Sequence, residues 1–326
     1  MKAWLCERFD GADALQWREL PTPEPKAGEV RVAIRAASLN FPDLLIVQGK
    51  YQFKPPLPFV PGSEFAGVVD AVGAGVTQFA HGDRVASAGG IGGFATHACV
   101  DAARLVALPP GLPLEDAAAF TLTYGTSHHA LVDRAALRQG ETVFVLGAAG
   151  GVGSAAVQIA KALGAKVVAG AGSEEKCRFC VQTLGADAAI DYSRQNLREA
   201  LTTLTDGRGP DVIYDPVGGD LAEPAFRSIA WRGRFLVVGF AQGKIPALPL
   251  NLMLLKGAST VGVFWGEFMR REPEAAAAGL AELASWYVEG RVKPAIDRRL
   301  AMRELQSAYA RMGSRQVQGK VLLVND

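Results

Sequence analysis

The run VFVLGAAGGVGSAAVQIAKALGAKVVAGAGSEEK, residues 143–176, opens as a buried strand, breaks into glycines, and resumes as a helix and a second strand. After Thr142-Val143-Phe144-Val145-Leu146 comes the loop Gly147-Ala148-Ala149-Gly150-Gly151-Val152-Gly153. Beyond it, Val152, Ala156, Ile159 and Leu163 recur at helical spacing on one face, and Gly164 ends the helix as a C-terminal cap. A helix whose first amides emerge from a glycine loop offers unpaired N–H donors and a positive dipole end to a pyrophosphate, and glycine permits close approach. Gly150, Gly151, Val152 and Gly153 are the residues expected there. Relative to GxGxxG the first glycine is replaced by Ala148, and such loops also occur in methyl-donor sites or as plain tight turns. The flanking strand and helix favour a dinucleotide.

The tail of the same stretch bears on which dinucleotide. An NAD site places Asp or Glu at the end of the second strand, about twenty residues past the loop, to accept hydrogen bonds from the ribose hydroxyls. Here the strand ends Val168-Ala169-Gly170-Ala171-Gly172-Ser173, with no carboxylate before Glu174. A 2′-phosphate would find room, a hydroxyl donor in Ser173, a cation in Lys176 and a phenol in Tyr192 after the next strand. The reading is NADPH. For Lys176 the alternative is a solvated helix face beside Glu174 and Glu175, and for Tyr192 it is packing at a strand end.

Around this stretch, residues 121 onward alternate apolar runs (142–146, 166–169, 188–190, 212–215, 234–239) with helical stretches or loops, the pattern of a parallel α/β sheet. Residues 1 to about 120 read instead as short strands and turns, as in EVRVAIRAASLN and the glycine-rich HGDRVASAGGIGGFATHACV. After VGVFWG come an alanine-rich helix near 273–289, a helix over 303–312 and the strand GKVLLV, a tail that fits either domain. With 326 residues, 49% of them hydrophobic, the chain is long enough for two domains with separate cores. Lys and Arg number 34 against 33 Asp and Glu, so no electrostatic footprint points to nucleic acid or a membrane surface, and a small-molecule partner is expected. Four scattered cysteines form no disulfide framework, no secretory leader is readable, and no window approaches about 18 apolar residues. A soluble, cytoplasmic protein is expected.

The segments NFPDLLIVQGKYQFKPPLPFVPGSEFAGVV, AAGGVG, GSEEK and YDPVGGD make the chain resemble, end to end, the zinc-free quinone oxidoreductase branch of the medium-chain dehydrogenases/reductases. The resemblance implies a GroES-like, mostly-β catalytic domain built from both chain ends around a Rossmann doubly wound parallel sheet, with the cofactor in the cleft. The expected bounds are 1–122 for the first part of the catalytic domain, 123–265 for the NADPH domain and 266–326 for the return.

Metal-dependent members of that superfamily need an early thiolate, a histidine in a GHE turn and a further thiolate, and a structural ion needs four cysteines. Asn40 in SLNFPD and Ser63 in PGSEFAG stand where the first two would be, and no cysteine lies between Cys99 and Cys177. Cys177 and Cys180 form a lone CxxC, read as helix thiols, and the adjacent His128 and His129 are read as capping or packing residues at a helix start. No metal is expected. Without a Lewis acid, hydride transfer suits an acceptor that is already electrophilic, a quinone or a conjugated carbonyl. Asn40, able to bond the ribose or an acceptor carbonyl, and Tyr51, able to relay a proton, are the candidate catalytic residues. Asn40 could equally be a turn residue before Phe41-Pro42, and Tyr51 loop packing. By resemblance, Tyr51, Gly239, Phe240, Val263, Phe264 and Trp265 lie along the cofactor and Thr126 near its nicotinamide. The 264–265 aromatics could also be core, and Asp43 and Glu64 read as structural carboxylates.

The functional expectation is an NADPH-dependent quinone reductase. The alternatives are a reductase of activated C=C bonds (enal, enone or enoyl thioester) and a nucleotide-binding protein without catalysis. A homodimer is expected, because the apolar strand in ASTVGVFWG would be the open edge of the sheet.

Overall fold

The alternation in EVRVAIRAASL becomes an eleven-residue strand, Glu29–Leu39, with Val30, Val32 and Ile34 turned into a hydrophobic core. The structure is a computed structural model that describes residues 1–87 and 89–325. The chain forms two units, Met1–Leu122 with Ile296–Asp326, and Thr123–Ala295.

The first unit begins with β1 (Lys2–Leu5), β2 (Gln16–Glu19), β3 (Glu29–Leu39), α1 (Phe41–Val47), β4 (Glu64–Val72), β5 (Arg84–Ser87), β6 (His97–Asp101), β7 (Leu105–Ala107) and α2 (Leu114–Ala117). The chain crosses into the second unit within α3 (Thr121–His128). There follow β8 (Thr142–Val145), α4 (Gly151–Ala162), β9 (Lys166–Ala171), α5 (Glu174–Gln182), β10 (Ala188–Asp191), α6 (Leu197–Leu204), β11 (Val212–Asp215), α7 (Ala222–Arg227), β12 (Arg234–Val237), α8 (Leu250–Lys256), β13 (Ser259–Gly262), α9 (Trp265–Arg271) and α10 (Pro273–Val288). β14 (Ile296–Ala301), α11 (Leu305–Gly313) and β15 (Lys320–Val324) complete the first unit.

In the first unit the strands run in the order β14-β15-β3-β4-β5-β7, with β6 also paired to β3. The sheet is antiparallel except for the β14–β15 pair. Val321 lies opposite Leu39 and Ser38 opposite Glu64, so the end of β3 is flanked by the first residues of β15 and β4. The core of this unit draws on both chain ends: Trp4, Phe65 and Phe94 join Leu305, Tyr309 and Val321.

The second unit is a parallel sheet in the order β10-β9-β8-β11-β12-β13. The order reverses between β8 and β11, and in an open sheet the crevice beyond the strand ends at that point is where ligands bind. This is the expected Rossmann arrangement. One boundary needs correction, since the chain returns to the first unit at Ile296 and not at 266. α9 and α10 belong to the second unit because Trp265, Phe268 and Trp286 pack their rings on His128 and His129. Those histidines are not at a helix start either: α3 ends at His128 and continues as a π-helical segment, His129–Arg134.

Candidate active site

The glycine loop leaves β8 with Gly147 at φ +60°, and Gly150 caps α4 without any side-chain bond to the first amides. The two glycines ahead of and within the helix differ in their surroundings. A Cβ on Gly153 would lie 2.2 Å from the Gly147 carbonyl oxygen, so this glycine exists for close packing of helix on loop. A Cβ on Gly150 would meet nothing nearer than that same oxygen at 3.4 Å, leaving its outer side open to a ligand. The start of the helix is held from behind. Ser127 Oγ donates to the Val152 carbonyl at 2.9 Å, and with its proton so used it accepts from the buried Tyr214 hydroxyl at 2.9 Å. Neither residue stands out in the sequence, where Ser127 is one hydroxyl of TYGTSHH and Tyr214 one aromatic of a strand.

At the carboxyl ends of β9 and β10 the three residues expected to take a 2′-phosphate are neighbours. Ser173 caps α5, its oxygen accepting the Lys176 N–H at 3.3 Å, which leaves the hydroxyl proton to donate. Tyr192 N donates to Ala171 O at 3.1 Å, and its ring lies over Gly172, where a Cβ would come within 3.3 Å of Cε2. Glu174, the first carboxylate after β9, pairs with Arg178 at 2.6 Å and faces Arg194 at 3.8 Å. These two guanidinium groups, unremarkable in sequence, neutralise the Glu174 carboxylate at the start of α5. Asp191 at the end of β10 accepts from Ser193 N and Oγ at 3.0 and 2.6 Å, both on Oδ1.

Thr126 lies half-buried on α3. Gly239 N donates to Asp215 O at 3.3 Å, and Phe240 lies against the PVGG loop, where a Cβ on Gly218 would come within 2.9 Å of its ring. Val263 is buried and donates its N–H to Val237 O at 3.0 Å. The aromatic pair separates: Phe264 is 53% exposed, whereas Trp265 is buried against Gly125, His129 and Phe268. Trp265 is thus a packing residue of the second unit.

In the first unit, Asn40 and Ser63 come together in a buried polar cluster. Asn40 precedes α1, and Asp43 accepts its backbone N–H at 2.8 Å and that of Ser63 at 3.1 Å. The Asn40 carboxamide spans two charges, Oδ1 accepting from Lys320 Nζ at 2.5 Å and Nδ2 donating to Glu64 Oε2 at 3.0 Å. Lys320 Nζ closes the triangle on Glu64 Oε2 at 3.0 Å. Glu64 further accepts from Ser38 Oγ at 2.7 Å and from Leu122 N at 2.7 Å. Burial pushes the Asp43 carboxyl up to about 6, although the Asn40 N–H, hydrogen bonding from Ser63 and the Lys320 charge oppose the shift. Tyr51 is half-buried against the same core, and burial, with Asp43 nearby, raises its phenol above the ordinary value. Sequence reading found Asn40 and Ser63 but not Lys320, which is far away in the chain and looks like the first residue of an ordinary strand.

Among the described residues no group of three or more His, Cys, Asp or Glu is arranged to hold a metal ion. All four cysteines are free thiols, and burial pushes Cys180 of the CxxC up to about 12, which keeps it protonated. Among the described residues no helix is long and apolar enough to cross a membrane.

A doubly wound nucleotide sheet inserted into a β unit built from both chain ends defines a medium-chain dehydrogenase/reductase. Known proteins agree. Residues 26–110 match the alcohol dehydrogenase GroES-like domain and residues 151–282 the zinc-binding dehydrogenase family. The chain is 40% identical to quinone oxidoreductase-like protein 2 of Bos taurus, over 99% of this chain and 96% of that one. It is 37% identical to a quinone oxidoreductase of Pseudomonas aeruginosa, over 97% of each chain. A solved mycobacterial structure complexed with NADPH superposes with a TM-score of 0.92 at 29% identity, covering 100% of both chains. The protein belongs to the quinone oxidoreductase branch of the medium-chain dehydrogenases/reductases.

Proposed function

We propose that the protein is an NADPH-dependent reductase that transfers a hydride to a quinone without a metal ion. The observation that carries this reading is that Asn40 and Ser63, expected at two positions where metal-dependent members carry a thiolate and a histidine, are tied into a closed buried network with Asp43, Glu64 and Lys320. NADPH is the cofactor, supported by relatives solved with it bound and by the small residues ending β9 beside Ser173, Lys176 and Tyr192. Bound, it supplies the hydride. The amides of Gly151, Val152 and Gly153 hold its pyrophosphate, and Gly239, Phe240, Val263 and Phe264 flank it, with Thr126 towards the nicotinamide. Asn40 offers the second lone pair of Oδ1 to a ribose hydroxyl, or, by giving up its long 3.4 Å bond to the Ser38 carbonyl, an Nδ2 hydrogen to the acceptor carbonyl, and the Tyr51 hydroxyl relays a proton from solvent. One hydride and one proton added to the quinone give the hydroquinone.

The deciding measurement is NADPH absorbance against a panel of quinones, enones and crotonyl thioester, with and without a chelator. Quinone turnover unaffected by the chelator is expected. Turnover of alkenes alone would transfer the reading to activated C=C bonds, no turnover would leave a nucleotide-binding protein, and loss with chelator restored by zinc would remove the metal-free claim. The acceptor is a small molecule, and the assembly is read as a homodimer through the β13 edge.

A further inference from the structure

Lys320 is 3% exposed and Glu64 fully buried, so the first unit encloses a complete ion pair. Taking both charges out of water is expensive, and such a pair stabilises a fold no better than well-packed apolar residues of the same volume. Its chemistry does something that apolar residues cannot. An ammonium has only donors and an ionised carboxylate only acceptors, so the amide between them has one permitted orientation, Oδ1 toward Nζ and Nδ2 toward Oε2. A flipped carboxamide would set N–H against N–H and oxygen against oxygen. The pairing register supplies the means: with Val321 opposite Leu39 and Ser38 opposite Glu64, the cation and the anion reach Asn40 from strands on either side of β3. Lys320 Nζ is anchored further by the Leu39 carbonyl at 3.4 Å.

We propose that Lys320 is a positioning residue for the reaction: locked to Glu64, its ammonium sets the orientation of the Asn40 carboxamide and places a fixed positive charge beside it. The link to catalysis rests on the reading that Asn40 meets the acceptor; the link to orientation does not.

Lys320→Met alone strands the Glu64 charge and can unfold the protein, so the decisive variant is Lys320→Met/Glu64→Gln, which removes both charges and keeps the shape. The amide introduced at 64 keeps an acceptor for Leu122 N and presents N–H to Asn40, so that only the long 3.4 Å bond from Nδ2 to the Ser38 carbonyl still holds the wild-type orientation. Melting temperature and NADPH affinity, followed by nucleotide fluorescence, are expected to match the wild type. The Asn40 side-chain amide protons, assigned by their loss from the NMR spectrum of Asn40→Ala, are expected to exchange at least about tenfold faster, as the loss of a charge-assisted hydrogen bond implies. The kcat is expected to fall on the order of tenfold to a hundredfold. A double variant that keeps either wild-type exchange or wild-type kcat overturns the proposal. If the wild-type protein reduces neither quinones nor alkenes, the functional reading fails, and exchange alone decides whether Lys320 orients Asn40.

Discussion

Burial changes the chemistry of Asp43 inside the polar cluster of the first unit. Its carboxyl rises from 3.8 to about 6 chiefly by loss of water, and at about 1.4 kcal/mol per pKa unit that shift amounts to about 3 kcal/mol. The sign follows from which state holds the proton more tightly. A raised folded-state pKa gives stability that is complete below the unfolded value near 3.8 and is lost as pH rises through about 6. Urea unfolding of the wild type against Asp43→Asn between pH 4 and 7.5 checks this, the comparison at each pH cancelling the rest of the molecule. The wild type should lose about 2.5 kcal/mol relative to the variant over that range; a flat difference would mean that Asp43 is not desolvated in solution. In the second unit, Lys176→Ala should lower kcat/KM for NADPH by roughly tenfold to a hundredfold, one charge-assisted bond to phosphate, and leave NADH unchanged. An equal fall with both cofactors would remove the 2′-phosphate from its neighbourhood.

At the scale of elements, the loop between β8 and α4 makes two glycines separable. Gly153→Ala forces a Cβ into the Gly147 carbonyl, an overpacking expected to cost about 1–3 kcal/mol of stability together with NADPH binding. Gly150→Ala has φ −80° and an open outer side, so it should melt with the wild type yet bind NADPH more weakly, its methyl standing where phosphate approaches. Thermal melts and nucleotide titration of the two variants check the contrast, and equal melting of both would contradict the packing role of Gly153. This loop was legible because its chemistry is local: strand, glycines and helix follow one another in a single run. The return point at Ile296 was not, since the apolar faces of α9 and α10 do not announce which unit they cover. Only their aromatic packing on His128 and His129 decides it. Asn40 was legible as a replaced ligand, but its partners Glu64 and Lys320 are brought to it by strand register, which no spacing in the sequence encodes.

At the scale of the molecule, the second unit ends its sheet at β13, a short strand with an unpaired edge and largely exposed residues. Beside it in the chain, α8 turns Leu250 and Leu254, one helical turn apart, outward at 78% and 80% exposure, and Leu255 and Ile245 are also bare. An open strand edge and a cluster of large aliphatic side chains are two separate liabilities for a lone chain in water. One two-fold axis along the β13 edge removes both: the strands of two copies pair antiparallel into one continuous sheet, and the leucines are covered in the same step. The proposal of a homodimer therefore makes a demand on α8 as well as on β13. Leu254→Glu would bury an unpaired carboxylate in that interface and should weaken association on the order of a hundredfold, without touching the folded core of the unit. Sedimentation at micromolar concentration should find a dimer for the wild type and a monomer with an unchanged melting profile at low protein concentration for the variant. A wild-type monomer would refute the dimer outright, and a dimeric Leu254→Glu would place the contact on another face.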